Sequence, residues 1–255
     1  MSEILRVTDL VKVYGRGGAA ARALDGVSLS LEEGDYTAVM GPSGSGKTTL
    51  LNCISTIDRP TGGSISVGGK ELTRLKGKEL TRFRREKLGF IFQNCNLLDT
   101  LTAFENIALA LSITRTPAGQ IPGRVQEMAG LLGIEDCMDK YPYQMSGGQQ
   151  QRCAAARAMV TRPALVLADE PTGALDSRSA RMLLERLEVL NRERGATILM
   201  VTHDPFTASC CRRVVFLRDG RIFTELHREG KDRRAFFGEI IAVMSRPGGE
   251  LDHVL

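Results

Sequence analysis

Residues 41–48 read Gly-Pro-Ser-Gly-Ser-Gly-Lys-Thr and fit the pattern G-x-x-x-x-G-K-[ST]. Glycines at that spacing let backbone N–H groups turn inward around an anion, and a following helix adds its positive N-terminus. Gly41, Pro42, Ser43, Gly44, Ser45, Gly46, Lys47, Thr48 and the adjoining Thr49 are therefore candidate contacts for the phosphates of a nucleotide such as ATP. Lys47 would reach the β and γ oxygens, and the Thr48 hydroxyl would ligate Mg2+. A second run, Leu165-Val-Leu-Ala, ends in Asp169 and Glu170. Acids at the carboxyl edge of a parallel sheet stand where α/β proteins place ligands. Asp169 would hold Mg2+, directly or through water, and Glu170 would polarise an attacking water as general base. Strand-end acids are also common as solvated residues, so their weight comes from the phosphate loop.

A third motif is Ser146-Gly147-Gly148-Gln149-Gln150-Gln151-Arg152. A serine, two glycines and a helix N-terminus make a second place for an anion. With this motif the chain resembles the ATP-binding subunit of ABC transporters, whose signature is L-S-G-G-Q; Met145 replaces the leucine, a swap that conserves volume. The resemblance implies a P-loop NTPase core of the ABC ATPase type, with two copies paired head to tail. Ser146, Gly147, Gly148 and Gln149 of one copy would then cover the γ-phosphate held by the other. It further implies that Tyr14 stacks on adenine and that Gln93 senses Mg2+ and the attacking water. Asp176, in Gly173-Ala-Leu-Asp176, would lie on the loop crossing the dimer interface, and His203 would contact the γ-phosphate. Gly173 stands where many members have serine. Catalysis would rest on Glu170, His203, Gln93 and Lys47, with the cation held by Thr48, Gln93 and Asp169.

Finer features point the same way. The extension after Tyr14, the run from Asp169 to Asp176 and His203-Asp-Pro-Phe-Thr-Ala-Ser209 are similar to the macrolide-export, lipoprotein-release and antimicrobial-peptide-resistance systems. Gly220-Arg-Ile-Phe-Thr-Glu225, followed by Phe236-Phe237, resembles the bacitracin-type branch. There the ATPase drives a separate integral-membrane permease, often freeing a peptide from its lipid target rather than passing it through a pore. A DNA-repair relative would carry a coiled coil or zinc module between Lys47 and Ser146, and a translation-associated one a second cassette. This sequence has neither, and a small-molecule kinase has no use for Ser146 to Gln150. Nucleic acid is not an expected partner.

These residues need a scaffold. Strand-like alternation at 4–13 and 27–31 precedes the short apolar run Tyr36-Thr-Ala-Val-Met40, which feeds the phosphate loop. The glycine- and alanine-rich stretch 15–21 reads as a mobile loop. Residues 87–92, 164–168, 197–202 and 214–217 read as further strands. The pattern over 102–140 is helical, with breaks at 116–119 and at Pro122-Gly123, and helices are expected over 147–161 and 179–194. Ala180, Leu183, Leu184, Leu187 and Leu190 form one apolar stripe. The expectation is an α/β protein: a mostly parallel sheet with an N-terminal antiparallel β region, plus an inserted helical subdomain. The core would span about 1–95 and 160–228, the helical insertion about 96–159, and a helical tail about 229–255, all in one nucleotide-binding domain.

Composition sets the outer bounds. The 255 residues are 42% hydrophobic and 25% charged, which excludes a disordered or collagen-like chain. The best candidate for a span, 107–113, is seven residues long and falls far short of a bilayer crossing. Glu3, Arg6, Asp9 and Lys12 interrupt any signal-peptide core, so a cytoplasmic protein, peripheral on the membrane through its permease, is expected. Thirty-four basic against 30 acidic residues is a weak excess, and the basic stretch 70–87 reads as a solvated helix face. The six cysteines show no C-x-x-C spacing, so they read as reduced core residues rather than a zinc site.

Overall fold

The computed structural model describes residues 2–15 and 20–245. β1 (Glu3–Tyr14) and β2 (Ala21–Glu32) pair antiparallel. β3 (Tyr36–Met40) is buried along its whole length and leads through the glycine-rich loop into α1 (Lys47–Ile54). β4 (Gly62–Val67) and β5 (Lys70–Glu71) return to the antiparallel region, followed by α2 (Gly77–Lys87) and β6 (Leu88–Phe92). Three helices then follow: α3 (Ala103–Ile113), α4 (Ile121–Leu132) and α5 (Gly147–Met159). The remainder alternates: β7 (Leu165–Asp169), α6 (Ser177–Arg194), β8 (Ile198–Val201), α7 (Pro205–Ala208), β9 (Arg213–Arg218), β10 (Arg221–His227) and α8 (Arg233–Met244).

The larger sheet has the order β10-β9-β3-β8-β7-β6, parallel except for the β10 edge; the smaller, β2-β1-β4-β5, is antiparallel. Side chains of a strand alternate between faces, which divides the interior in two. Leu165, Leu167, Leu199 and Val215 face α1 and the antiparallel sheet. Val166, Ala168, Met200 and Phe216 face the other way, into a core shared with α3, α4, α5, α6 and α8. The stripe on α6 is buried from Ala180 to Leu190, and α8 buries Phe236, Ile240 and Val243 at helical spacing. No helix among the described residues is long and apolar enough to cross a membrane.

Three local expectations change. Pro122-Gly123 does not break the chain: Pro122 lies in the first turn of α4, where its missing N–H costs no intrahelical bond. β10 is a strand that the sequence reading passed over, alternately exposed and half-buried. The expected loop over 15–21 gives up Ala21 to β2, and its residues 16–19 lie outside the described residues. The basic stretch behaves as expected: of α2 only Phe83 is buried.

Candidate functional site

The phosphate loop owes its shape to glycines that nothing else could replace. Gly46 caps α1 with φ +104, and a Cβ there would drive into the backbone carbonyl of Ala23. Gly41 (φ +156) is pressed likewise against the carbonyl of Leu217. Because Gly46 has no side chain and the first turn holds no acid, the N-terminus of α1 is left without a side-chain cap. Its partial positive charge therefore faces the cleft. The Lys47 ammonium rests on the loop's own carbonyls, 2.5 Å from Gly41 O and 2.9 Å from Pro42 O. Ser45 is buried and its Oγ has no hydrogen-bond partner in the structure.

Across from the loop stand the ends of β7 and β8. These strands pair in register, Asp169 beside Val201, so the next residues emerge side by side. Glu170 adopts φ +44, in the left-handed region that costs a non-glycine residue about 1–2 kcal/mol. Its N–H still donates to Val201 O at 2.9 Å, so the turn is anchored to β8. His203 Nδ1 lies 2.9 Å from Glu170 Oε1. A cleft of about 440 Å³ opens between the two halves, lined by Ser43, Gly44, Gly46, Lys47, Thr48 and Thr49 on one side and by Glu170 and His203 on the other, with Ala23 at its edge.

Asp169 sits just behind. Burial pushes its carboxyl above the ordinary value, Glu170 next door adds to this, and Lys47 pulls the other way. Two adjoining carboxyls with one ammonium leave room for more positive charge, which fits a divalent cation. Among the described residues no group of three or more His, Cys, Asp or Glu could hold a metal alone. A Mg2+ ion there would complete its shell with water and nucleotide oxygens, as this ion usually does.

The other expected residues fall into three places. Tyr14, at the end of β1, is 41% exposed and donates its hydroxyl to Asp58 Oδ2 at 2.7 Å. Gln93 follows β6 and packs its amide on Gly173, where a Cβ would come within 2.9 Å of its Nε2. Ser146 to Gln149 open α5 instead of lining the cleft. Ser146 Oγ accepts from Gln149 N at 3.3 Å and Gln149 Oε1 accepts from Ser146 N at 2.9 Å. Asp176 caps α6, accepting from Arg178 N and Ser179 N at 3.0 Å each. Gly148 lies against the same Ser179, so the signature and the Asp176 loop meet there.

Sequence reasoning missed the side chains that fix these pieces. Gln151, fully buried, donates to Phe92 O at 2.9 Å and accepts from the Cys95 thiol at 2.6 Å. Arg157 donates to Asn96 O and Cys95 O at 2.7 and 2.9 Å. Together they tie α5 to the loop that carries Gln93. The available signal was a polar side chain on the alanine-rich, buried side of α5.

The chain is similar to known proteins along most of its length. A family model described as ABC transporter matches residues 24–173. The ABC transporter ATP-binding protein YxdL of Bacillus subtilis is 50% identical over 249 residues, covering 98% of this chain and 96% of its own length. The bacitracin export ATP-binding protein BceA of Halalkalibacterium halodurans is 50% identical over 251 residues, covering 98% and 99%. Among solved structures, the dimeric ATP-binding cassette MJ0796, in a post-hydrolysis state with ADP and Pi, superposes with a TM-score of 0.80. It shares 38% identity, covering 88% of this chain and 98% of its own.

Proposed function

The chain belongs to the ABC transporter family as an ATP-binding, ATP-hydrolysing subunit, and from that premise we propose how its residues divide the work. The observation that carries the reading is the uncapped N-terminus of α1, with Lys47, facing the Glu170–His203 pair across one cleft. The loop 41–49 binds the ATP phosphates, and Lys47 exchanges its carbonyl contacts for phosphate oxygens. Glu170 takes a proton from water as the water oxygen bonds to the γ-phosphorus, and the bond to the β–γ bridging oxygen breaks to release ADP. His203 orients Glu170 and reaches the γ-phosphate. Thr48, Asp169 and Gln93 would hold Mg2+, which when bound would supply positive charge against the phosphates.

Ser146 to Gln149 stand outside the cleft of their own chain, so we assign them to the cleft of a second copy. Helices α3 to α5 form a subdomain that carries this signature. A groove lined by Phe90, Phe92, Ala110 and Ile113, together with Arg84 and Arg85, runs along β6, the strand that Gln93 follows. Phe90 and Phe92 stack there at 5.8 Å, and Ile113 is 47% exposed, so we assign the groove to the membrane permease. The likeness to BceA over nearly the full length of both chains supports a bacitracin-type peptide as the substrate of that pair. Co-purification from membranes should return a permease of that type. Deleting this subunit from its host should raise sensitivity to bacitracin-type peptides, and unchanged sensitivity contradicts the substrate assignment.

A further inference from the structure

Tyr14 is held by more than its own strand. Its hydroxyl donates to Asp58 Oδ2 at 2.7 Å, while Lys12 Nζ lies 2.6 Å from Asp58 Oδ1 and 2.8 Å from Arg59 O. The same ammonium sits over the Tyr14 ring, 4.7 Å from its centroid. One face of the ring is thus occupied by a cation, yet the residue remains 41% exposed. Among the described residues Lys12 takes one face, which leaves the opposite face for a flat ligand, and a cation behind the ring favours an electron-rich ring in front.

Asp58 is in turn referenced to the phosphate loop. Its N–H donates to Asn52 O, in α1, at 3.0 Å. Thr61 completes the clamp, donating its N–H to Val11 O at 2.8 Å and accepting Val13 N at 3.0 Å. The helix whose N-terminus faces the phosphates therefore also fixes, from its other end, the carboxylate that holds Tyr14. Spacing and tilt between the aromatic ring and the phosphate loop are set by one rigid element.

We propose that Lys12 and Asp58 are positioning residues that lock the Tyr14 ring as a one-faced platform for the nucleotide base, at a distance fixed by α1. This rests on the reading of Tyr14 as the adenine contact. The test measures binding of ATP and of inorganic tripolyphosphate, which has no base, to the full chain by calorimetry. Tyr14→Ala should weaken ATP binding about tenfold, the scale of one lost base stack. Asp58→Ala and Lys12→Met should each weaken it about threefold to fivefold, because the ring remains but is no longer held. Tripolyphosphate affinity should be unchanged in every variant. Adding Asp58→Ala to Tyr14→Ala should cost nothing further, since there is no ring left to position.

Four results overturn the proposal. Asp58→Ala binding ATP like the wild type, while Tyr14→Ala is weakened, removes the positioning role alone. Multiplicative losses in the double variant, or an equal loss for tripolyphosphate, would make the cluster a structural prop for the loop. Wild-type ATP affinity in Tyr14→Ala removes the adenine reading itself, and the proposal with it.

Discussion

Glu170 and His203 meet at the ends of adjacent parallel strands, with His203 Nδ1 2.9 Å from Glu170 Oε1. Glu170 reaches this position only by turning at φ +44 directly after β7, held by its N–H bond to Val201 O. The turn directs an acid that would otherwise continue the strand toward the cleft opposite Lys47. Backbone strain at such a point is affordable because β8 determines both partners at once.

Lys47 should govern nucleotide affinity. Its ammonium is buried and satisfied by Gly41 O and Pro42 O, a pair that phosphate oxygens can replace. Lys47→Ala should weaken ATP binding at least ~10-fold, since hydrogen bonds to a charged group contribute about 1.5–3 kcal/mol. Calorimetry checks this; unchanged affinity contradicts the role.

The paired arrangement can be tested by complementation. Ser146→Asp keeps an oxygen that can cap α5 but places negative charge where a partner copy's γ-phosphate would lie. The variant should bind ATP as a monomer and fail to hydrolyse it, and Lys47→Ala should also be inactive. Mixing the two should restore turnover, because one composite site then has an intact loop and an intact signature. No recovery at any mixing ratio counts against head-to-tail pairing.

Gly89 gives a stability prediction independent of nucleotide. A Cβ there would overlap the carbonyl of Ala158 in α5 and touch Pro163 Cγ at 3.0 Å. Gly89→Ala should destabilise the fold by about 1–3 kcal/mol, read as a lowered thermal midpoint. An unchanged midpoint would show that α5 can move away from β6 at no cost.

The cysteines should be inert at neutral pH. Burial pushes Cys53 up to about 11 and Cys153 and Cys210 up to about 12, and it raises Cys211 well above the ordinary thiol value. At pH 8 the thiolate fraction of Cys210 is then on the order of 10⁻⁴. Native protein should take up iodoacetamide slowly at these sites, and rapidly once denatured. Fast labelling of Cys210 or Cys211 in the folded chain contradicts this.

Much of the site was legible because its chemistry is local. The loop 41–48 is contiguous, its glycine positions follow from backbone geometry, and β3 and α1 flank it as the apolar run and the motif require. The stripe on α6 and the strand ending in Asp169 were legible for the same reason. Illegible were contacts between distant residues. Asp58 meets Tyr14 across 44 positions, and Arg157 meets Cys95 across 62. No periodicity marks such pairs, because their partners are chosen by how α1 and α5 pack. Pro122 misled for a different reason: proline ends a helix from within but begins one from its first turn, and the two cases differ only in where the preceding loop stops.

The central claim is that Glu170, aimed by His203, activates water above the phosphate loop. Glu170→Gln keeps the size and hydrogen-bonding reach of the side chain while removing its basicity. The decisive measurement is single-turnover hydrolysis alongside ATP binding and sedimentation. The variant should bind ATP as the wild type does, lose nearly all turnover, and accumulate as an ATP-bound dimer. Wild-type hydrolysis by Glu170→Gln would contradict the account.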